Sequence, residues 1–414
     1  MDAERIVLVH DWLTGMRGGE KCLEPLARRW PQARLLTLLH KRGSVSPTIE
    51  SLAIQPSVLN RLPRVEKYYR FLLPAMPFAA GWKVRDADLV VSLSHCIAKS
   101  ARPPEGVPHV CYCFTPMRYA WHMKDSYFRK TGLTSRLKAA AIGKLLESIR
   151  EWDRRTASRV THFIAISRTV QERIRECYGR ESDIIYPPVD TEFYTPAAVP
   201  REDFYLVVSA LAPYKRFDLA IDACAKLGKK LIVIGSGQDA KKLQAKASPG
   251  ITFLGWQSDE AIRDHLRRAK ALLFPGEEDF GIVPLEAQAC GCPVSAFGRG
   301  GATETVRNLG DSIEPTGVFF DEQTPEAVVE AIERFEREAD RFDPRAARRQ
   351  AVLFRKERFD LELFSYLDRV MNREPDATRR AARSPAQLVP PQCRLQKCEA
   401  SPADPPSGGG GKFS

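Results

Sequence analysis

Short apolar runs alternate along the chain with longer segments whose apolar residues recur at helical spacing. The run IVLVH (Ile6–His10) precedes a glycine-containing loop and a helical pattern from Glu20. The first half has four further candidate strands, ARLLTLL, ADLVVSLS, HVCYCF and THFIAIS, and Leu137–Ser158 has helical period and charge. Strands that alternate with helices predict a parallel sheet covered by helices on both faces.

A proline-rich segment, Ile185–Asp203, interrupts this alternation. It contains four prolines, a density that excludes a long helix or strand. Beyond it the pattern restarts with YLVVSAL, then a helix that ends at Gly228, then the strands KLIVIGSG, ITFLGW, AKALLFP and CPVSAF. The sequence therefore predicts two α/β domains, residues 1–190 and 191–345, which are joined by a linker and face a cleft.

Two more segments follow the second domain. Residues 346–372 are expected to form helices that pack back on the N-terminal domain. From about Arg373 the periodicity disappears, and the chain ends in PADPPSGGGGKFS. Because such Pro-, Gly- and Ser-rich sequence cannot bury a core, residues 373–414 are predicted to be a disordered tail.

Composition and charge narrow the function classes. The 414 residues are 43% apolar and 28% charged, which is typical of a globular protein with more than one domain. No apolar run approaches the ~20 residues that span a bilayer, and the N-terminus lacks the pattern of a signal peptide, so a cytoplasmic protein is expected. The net charge of +11 favours a phosphorylated small molecule or anionic lipid as partner. No nucleic-acid-binding motif is visible.

Ten cysteines are scattered through the chain. The close pairs Cys111/Cys113 and Cys290/Cys292 have one residue between them, whereas zinc knuckles have at least two. Buried free thiols are therefore predicted rather than metal ligands.

The candidate chemistry is concentrated in FPGEEDFGIVPLEAQACGCPV (Phe274–Val294). Glu278 and Glu286, with seven residues between them, follow a predicted strand, and Pro284 suits the first turn of a helix. The N–H groups at such a helix start favour an anion, and carboxylates accept hydrogen bonds from sugar hydroxyls. The alternative is that both carboxylates only cap the helix.

Two other segments suit an anionic ligand. In LAPYKRF, the charges of Lys215 and Arg216 come directly after a strand, where they could meet a diphosphate, although Arg216 could equally be a surface charge. In GMRGGEK, Gly18 and Gly19 permit a close approach of the backbone to phosphate or sugar, or form a simple turn.

These segments together carry a family resemblance. FPGEEDFGIVPLEAQACGCPVSAFGRGGATETV resembles the E-x7-E signature of retaining glycosyltransferases with the GT-B fold, of family 4 (glycosyl transferases group 1). The segments HDWLTGMRGGEK, CYCFTPMRYAW, IAISRTV, IYPPVDTEFY, VVSALAPYKRFDLAI and ITFLGW match in the same order, over about residues 5–335. The resemblance implies two Rossmann-like domains, the first binding an acceptor and the second a nucleotide-sugar.

The resemblance also implies roles for single residues. Glu278 would contact the transferred sugar, Glu286 the ribose hydroxyls, and Lys215, aided by Arg216, the diphosphate. The other implied donor-binding residues are Gly18, Gly19, Asp279, Phe280, Gly281 and Ile282. The implied acceptor-side residues are His95, Thr115, Arg118 and Tyr119, whereas Trp121 could contact the acceptor or pack in the core. Gly300, Gly301 and Glu304 would lie near the donor, with helix capping as the alternative for Glu304.

The chain departs from the family pattern at two positions. Ala210 stands where many members have an arginine, and Phe114 stands where many have a histidine. Arg216 or Arg299 could replace the missing phosphate contact. Because of these departures, a non-catalytic nucleotide-sugar-binding or scaffolding protein stays open as an alternative, beside an epimerase or phosphorylase of the same fold.

The reaction that the resemblance implies is a hexosyl transfer with retention of the anomeric configuration. It would proceed by front-face attack, with the leaving phosphate accepting the acceptor's proton. The resemblance implies that no cofactor and no bound metal are needed, and the sequence has no Asp-x-Asp pair at a strand end that could hold a metal. The resemblance to mannosyltransferases of bacterial surface-polysaccharide synthesis favours GDP-mannose as donor, but no residue distinguishes guanine from uracil.

A basic and aromatic stretch, Arg61–Phe78, suggests where the acceptor is met. Its mixture of basic, tyrosine and leucine side chains suits an interfacial helix on anionic lipid, which Pro74 and Pro77 would end early. The alternative is an amphipathic helix that packs on the N-terminal domain. Because acceptors in the family are commonly lipid diphosphates, we expect a lipid-linked or polysaccharide acceptor and a peripheral position at the inner face of the cell membrane.

Overall fold

The computed structural model describes residues 5–121 and 136–372, without the side chains of Arg70, Tyr119 and residues 136–142. The predicted disordered tail, residues 373–414, lies outside the described residues. The described residues form two α/β domains, each built on one parallel sheet.

The N-terminal domain contains seven strands and six α-helices in the described part of the chain. Its strands are β1 (Ile6–His10), β2 (Arg34–Thr37), β3 (Ala53–Pro56), β4 (Leu89–Ser94), β5 (His109–Cys113), β6 (His162–Ala165) and β7 (Ser182–Ile184). Its helices are α1 (Gly18–Arg29), α2 (Pro47–Glu50), α3 (Met76–Ala79), α4 (Arg118–Trp121), α5 (Arg136–Ala157) and α6 (Arg168–Tyr178). The sheet order is β3-β2-β1-β4-β5-β6-β7.

The C-terminal domain repeats this plan with six strands. They are β8 (Tyr205–Val208), β9 (Leu231–Ile234), β10 (Ile251–Gly255), β11 (Ala271–Phe274), β12 (Val294–Phe297) and β13 (Gly317–Phe320), in the order β10-β9-β8-β11-β12-β13. The α-helices that follow β8 are α7 (Phe217–Leu227), α8 (Ala240–Gln244), α9 (Asp259–Arg268), α10 (Ile282–Ala289), α11 (Ala302–Thr305), α12 (Pro325–Arg337), α13 (Pro344–Val352) and α14 (Lys356–Met371).

The strand order decides where a ligand can bind. In each sheet the order reverses at one place, between β1 and β4 in the first domain and between β8 and β11 in the second. Open parallel sheets bind ligands beyond the carboxyl ends of the strands at such a reversal, because the flanking loops diverge there. The loops after these four strands carry most of the predicted site residues.

Local sequence explains several element ends. The Ser167 hydroxyl accepts a hydrogen bond from the Val170 N–H at 3.1 Å and so caps α6. Gly228 ends α7 in the left-handed conformation with φ 64°, as the sequence predicts. Between β7 and β8, residues 185–204 contain neither helix nor strand, as their prolines predict.

The last two helices pack on different domains. Ala351 of α13 belongs to a buried cluster of the C-terminal domain, and α13 lies against α10. Phe359, Leu363 and Leu367 of α14 join the core of the N-terminal domain. The chain therefore crosses back between Ala351 and Lys356, where Val189 donates a backbone hydrogen bond to Phe354 at 2.9 Å.

The eight cysteines of the described chain are free and buried, as the sequence predicts. The predicted interfacial α-helix in Arg61–Phe78 is wrong in its form. Residues 65–67 and Tyr69–Ala75 form 3₁₀ turns, followed by the four-residue α3. Tyr68, with φ −133° and ψ 3°, separates the two turns. Pro74 and Pro77 prevent a continuous α-helix beyond it, since each lacks the N–H that such a helix would require.

Candidate active site

Two loops of the C-terminal domain meet beyond the carboxyl ends of β8 and β11. A Cβ atom added at Gly276 would come within 2.9 Å of the Tyr214 carbonyl oxygen and 3.0 Å of the Lys215 Cα. Glycine therefore lets the loop after β11 press against the turn after β8. The loop ends at Gly281, whose φ of 84° is left-handed and precedes the first residue of α10.

This contact brings Lys215 and Glu278 together. The Lys215 ammonium forms an ion pair with the Glu278 carboxylate, and both side chains are largely buried, at 10% and 17% exposure. Arg216, predicted beside Lys215, instead pairs with Asp218, Nε to Oδ1 at 3.2 Å. Its φ of 52° is left-handed, a conformation that is strained for a residue with a side chain and often found at functional sites.

Glu286 lies on α10 and is met by the other domain. Lys21, on α1, approaches the Glu286 Oε1 with its Nζ at 3.5 Å. Burial raises the pKa of Glu286, and Lys21 counteracts this only in part. Of the two carboxylates of the E-x7-E pattern, Glu278 pairs with a lysine of its own domain and Glu286 with a lysine of the facing domain.

Asp279 joins the two domains most directly. Its carboxylate pairs with both Arg118 and Arg173 of the N-terminal domain. The Ser167 hydroxyl donates to the Asp279 carbonyl oxygen at 2.5 Å. Arg173 also reaches Glu277, Nη2 to Oε1 at 3.2 Å. The loop that carries Glu278 is thus held against the N-terminal domain on both sides.

The predicted glycines Gly18 and Gly19 permit close contacts between α1 and its neighbours. A Cβ at Gly18 would lie 2.9 Å from the Ile282 side chain across the cleft. A Cβ at Gly19 would lie 3.3 Å from the rings of His10 and Phe114. Both glycines therefore allow α1 to reach its protein neighbours. Phe280 is buried and stacks on Tyr186, with ring centroids 5.8 Å apart.

His95 follows β4 and is oriented by Asp11, which follows β1. His95 Nδ1 lies 2.9 Å from Asp11 Oδ2, and the backbone N–H groups of His95 and Ile97 donate to the Asp11 carboxylate at 2.6 and 2.7 Å. Burial alone would raise the pKa of Asp11, but the charge and hydrogen bonds of His95 lower it to about 2. Trp12 packs edge-on against the His95 ring, at 4.5 Å between centroids.

The other acceptor-side residues lie around β5 and α4. Thr115 is 6% exposed, and its hydroxyl has no hydrogen-bond partner among the described residues. Arg118 faces Asp279, as described above, and lies over the Tyr214 ring at 5.5 Å. The side chain of Tyr119 lies outside the described part of the chain. Trp121 donates from its indole N–H to Asp153 at 2.9 Å, which fits the core-packing alternative.

The loop after β12 packs beside the E-x7-E segment. The Gly301 N–H donates to the Glu278 carbonyl oxygen at 2.8 Å, and a Cβ at Gly301 would overlap the Phe280 backbone. Glu304 accepts from the Arg168 N–H at 3.0 Å and from the Tyr186 hydroxyl at 3.0 Å. It therefore caps α6 of the facing domain rather than its own helix α11, and burial raises its pKa.

The structure shows what Phe114 contacts and where the possible substitutes for the arginine missing at Ala210 lie. Phe114 packs edge-on against His10 at 6.4 Å. Arg299, considered as a substitute for the arginine missing at Ala210, is exposed with its guanidinium 5.8 Å from the Phe297 ring centroid. Arg216 lies on the same loop as Ala210, which makes it the nearer substitute in the chain.

Sequence reasoning missed four residues that build this site: Asp11, Lys21, Ser167 and Arg173. A signal existed for Asp11, a carboxylate directly after a predicted strand, and for Lys21, which completes GMRGGEK. Arg173 lies in a helix whose sequence resembles any polar surface helix, and its partner is 106 residues away. Among the described residues, no group of three or more His, Cys, Asp or Glu side chains could hold a metal ion.

Family models match both domains. The model described as Glycosyltransferase Family 4 matches residues 16–193, and the model described as Glycosyl transferases group 1 matches residues 190–351. A curated relative, the D-inositol 3-phosphate glycosyltransferase of Mycobacterium sp. (strain KMS), is 33% identical over 30% of this chain. The match spans about a third (34%) of that relative's length.

Solved structures share the architecture at low identity. The sucrose-phosphate synthase of Thermosynechococcus elongatus superposes with a TM-score of 0.65 at 16% identity, covering 90% of this chain and 100% of that one. HepE of Anabaena, solved in complex with UDP, gives 0.62 at 16% identity and covers 88% and 99%. The predicted GT-B fold is thereby confirmed. With glycosyltransferase models matching both domains, the chain belongs to the GT-B glycosyltransferases of the group 1 and family 4 type.

Proposed function

We propose that the protein transfers a hexose from a nucleotide-sugar to an acceptor, with retention of the anomeric configuration. The observation that carries this proposal is the buried Lys215–Glu278 ion pair beside the start of α10, at the reversal of the second sheet. A cation, a helix N-terminus and a carboxylate there supply what a sugar diphosphate requires: charge for the phosphates and an acceptor for the hydroxyls.

The chemistry follows from the charges. The departing nucleoside diphosphate gains negative charge as the glycosidic bond breaks, and Lys215 with the N–H groups at the α10 start stabilises it. Glu278, paired with Lys215 in this structure, would exchange that partner for a sugar hydroxyl when donor binds. Attack comes from the face that the leaving group occupies, and the leaving phosphate takes the acceptor's proton. No side chain is then needed as a covalent nucleophile.

The donor we favour is GDP-mannose, on the sequence resemblance to mannosyltransferases. HepE binds UDP, so UDP-hexoses are the main competitors. In this proposal Glu286 accepts from the ribose hydroxyls, which both nucleotides share.

The test is a panel of nucleotide-sugars, in which the thermal midpoint of the protein and the release of GDP or UDP are measured together. We expect one donor to raise the midpoint most and to be the one whose diphosphate is released. A midpoint raised without release in the presence of any acceptor would indicate a non-catalytic binding protein. No shift with any nucleotide-sugar would contradict the proposal.

We further propose that the acceptor is lipid-linked and met at an anionic membrane surface. The segment after β3 exposes Val58, Leu62, Phe71 and Phe78, with Phe71 and Phe78 at 85% and 88% exposure. Arg61 lies in the same segment. Exposed aromatic side chains beside cations suit adsorption to anionic lipid. In the described part of the chain no helix is both long and apolar enough to cross a membrane.

Sedimentation with anionic vesicles tests this contact. The double variant Phe71→Ser/Phe78→Ser should bind vesicles more weakly than the unchanged protein, because both side chains would insert at the interface. Trp256→Ser is the matched control, since Trp256 is 76% exposed on the other domain. Equal binding of all three proteins would remove this segment as the membrane contact.

A further inference from the structure

Two adjoining cavities open on the N-terminal domain beside the loop that follows β1. Their volumes are about 250 and 260 Å³, and both are lined by Thr14, Lys41 and Glu66. None of the described residues that line them belongs to the predicted donor or acceptor sites. They lie between the loop before α1 and the turns that precede α3.

The lining of these cavities is strongly cationic. Arg64 contributes to the first cavity, Arg17 and Lys67 to the second, and Lys41 to both. Among the described residues that line them, Glu66 is the one carboxylate. Lys41, Arg64 and Lys67 form no ion pair with any described residue. This differs from the C-terminal domain, where Lys215 and Arg216 are each paired with a carboxylate.

The backbone holds these cations in place. Arg64 has a left-handed φ of 53°, which costs free energy in a residue with a side chain and is retained where the surroundings require it. Lys41 is anchored by its N–H, which donates to the Leu13 carbonyl oxygen at 2.9 Å. Tyr69, which lines the second cavity, is buried against Trp12, with ring centroids 5.0 Å apart.

The cavities are connected to the donor side through one segment. Thr14 and Arg17 belong to the loop that enters α1, and the Arg17 N–H donates to Glu20 in the first turn of that helix at 3.0 Å. The next residue, Lys21, contacts Glu286. A group bound in the cavities would therefore contact the loop that leads into α1, and α1 in turn carries Lys21 to the donor half.

We propose that these cavities bind a phosphate or diphosphate group carried by the acceptor. Lys41, Arg64 and Lys67 line the cavities without a carboxylate partner among the described residues, and such cations suit a group of that charge better than a neutral glycan does. Glu66 can accept from a hydroxyl next to the phosphate. The inference rests on the proposed sugar transfer and assigns the chemical class of its acceptor. The phosphate can belong to a lipid diphosphate or to a soluble sugar phosphate.

Binding of inorganic diphosphate to the full chain is the first test. The donor half is filled beforehand with saturating GDP or UDP, so that added diphosphate reports only on a second site, and titration calorimetry measures its dissociation constant. We expect binding by the unchanged protein and a loss of about tenfold or more in Lys41→Gln/Lys67→Gln, the effect of removing charged hydrogen-bond donors. Arg64→Asn, which keeps a residue tolerant of left-handed φ, should also weaken binding.

Arg42→Gln is the matched control, because Arg42 is exposed next to Lys41 but lines neither cavity. It should bind diphosphate within about twofold of the unchanged protein, a change too small to count as a lost contact. Absence of a second diphosphate site, or equal binding by the double variant, would overturn the proposal. Normal GDP or UDP binding in the same samples would then show that the donor half, and with it the proposed function, is unaffected.

Acceptor kinetics distinguish the two sources of phosphate. A lipid diphosphate in mixed micelles and a soluble sugar phosphate are compared at saturating donor. Whichever is used as acceptor should show a KM raised about tenfold in Lys41→Gln/Lys67→Gln with the donor KM unchanged. A raised donor KM with an unchanged acceptor KM would contradict the assignment of these cations to the acceptor.

Discussion

The donor half of the cleft and the two cavities of the N-terminal domain differ in how their charges are paired. In the C-terminal half, Lys215, Glu278, Asp279 and Glu286 are all largely buried and paired, three of them within one segment of nine residues. In the N-terminal half, Lys41, Arg64 and Lys67 are exposed and without an ion pair among the described residues. Buried charge requires partners, whereas exposed cations keep their water until an anion arrives. The first half is organised before donor binds, and the second becomes organised by its ligand.

The sequence predicts the positions of the donor-side residues better than it predicts the contacts between the domains. The E-x7-E segment follows a strand and starts a helix, so its position in the fold depends on local order, and the sequence places Glu278, Gly281 and Glu286 on the cleft. The same holds for Lys215 after β8. Both domains and the proline-rich linker are predicted for the same reason, because alternation and proline content are local properties.

Contacts between the domains could not be predicted in this way. Asp279 pairs with Arg118 and Arg173, which are more than 100 residues away in the chain, and nothing in the sequence indicates these two pairings. The capping of α6 by Glu304 could not be predicted either, since Glu304 and Arg168 are 136 residues apart in the chain. The composition of Arg61–Phe78 predicts an interfacial helix, but Tyr68 departs from helical geometry and separates two 3₁₀ turns, and Pro74 and Pro77 lack the N–H that a continuous α-helix requires.

The largest effect should come from removing the cation of the donor half. Lys215→Ala should lower kcat/KM by roughly 10²–10³, the size that is typical for the loss of one group that stabilises developing charge. Lys230→Ala, an exposed lysine of the same domain, is the control and should retain full activity. Steady-state kinetics with the donor identified from the panel measures both. Near-normal turnover in Lys215→Ala would move the diphosphate to Arg216.

Asp11 is a buried carboxylate of the N-terminal half, and the effect of removing it should depend on pH. Because the folded pKa of Asp11 is lowered to about 2 from a usual value of 3.8, its contribution is complete above about pH 4 and is lost as pH falls through 2. Asp11→Asn should therefore lower the free energy of unfolding by about 2 kcal/mol at neutral pH, and less in acid.

Denaturant unfolding at several pH values measures this difference. Asp86→Asn, which changes an exposed aspartate of the same domain, should show no difference that varies between pH 4 and pH 2. A constant gap between Asp11→Asn and the unchanged protein over that range would contradict the role of the ionised Asp11.

Asp279 tests whether the two halves are held together by charge. Asp279→Asn leaves Arg118 and Arg173 without their carboxylate and should destabilise the protein by roughly 1–2 kcal/mol, less than for fully buried pairs because both arginines keep some exposure. Glu277→Gln, which removes only the exposed partner of Arg173, should cost less. Equal effects of the two substitutions on the unfolding free energy would show that Asp279 has no special role.

The smallest effect is expected at Glu286. Glu286→Gln should raise the donor KM about tenfold and leave kcat nearly unchanged, because ribose contacts are made equally in the ground and transition states. Lys21→Met, which removes the facing cation, should change donor KM less. A fall in kcat with an unchanged KM in Glu286→Gln would place this carboxylate on the transferred sugar instead.

The division of the cleft into a donor half and an anion-binding acceptor half is tested most directly by hydrogen exchange of the backbone amides. Saturating GDP or UDP should slow exchange in residues 212–217 and 276–286, and leave residues 39–41 and 60–67 unchanged. Inorganic diphosphate added to that complex should then slow exchange in the second pair of segments. Protection of residues 39–41 and 60–67 by the nucleotide alone, or no protection of residues 276–286, would contradict the account.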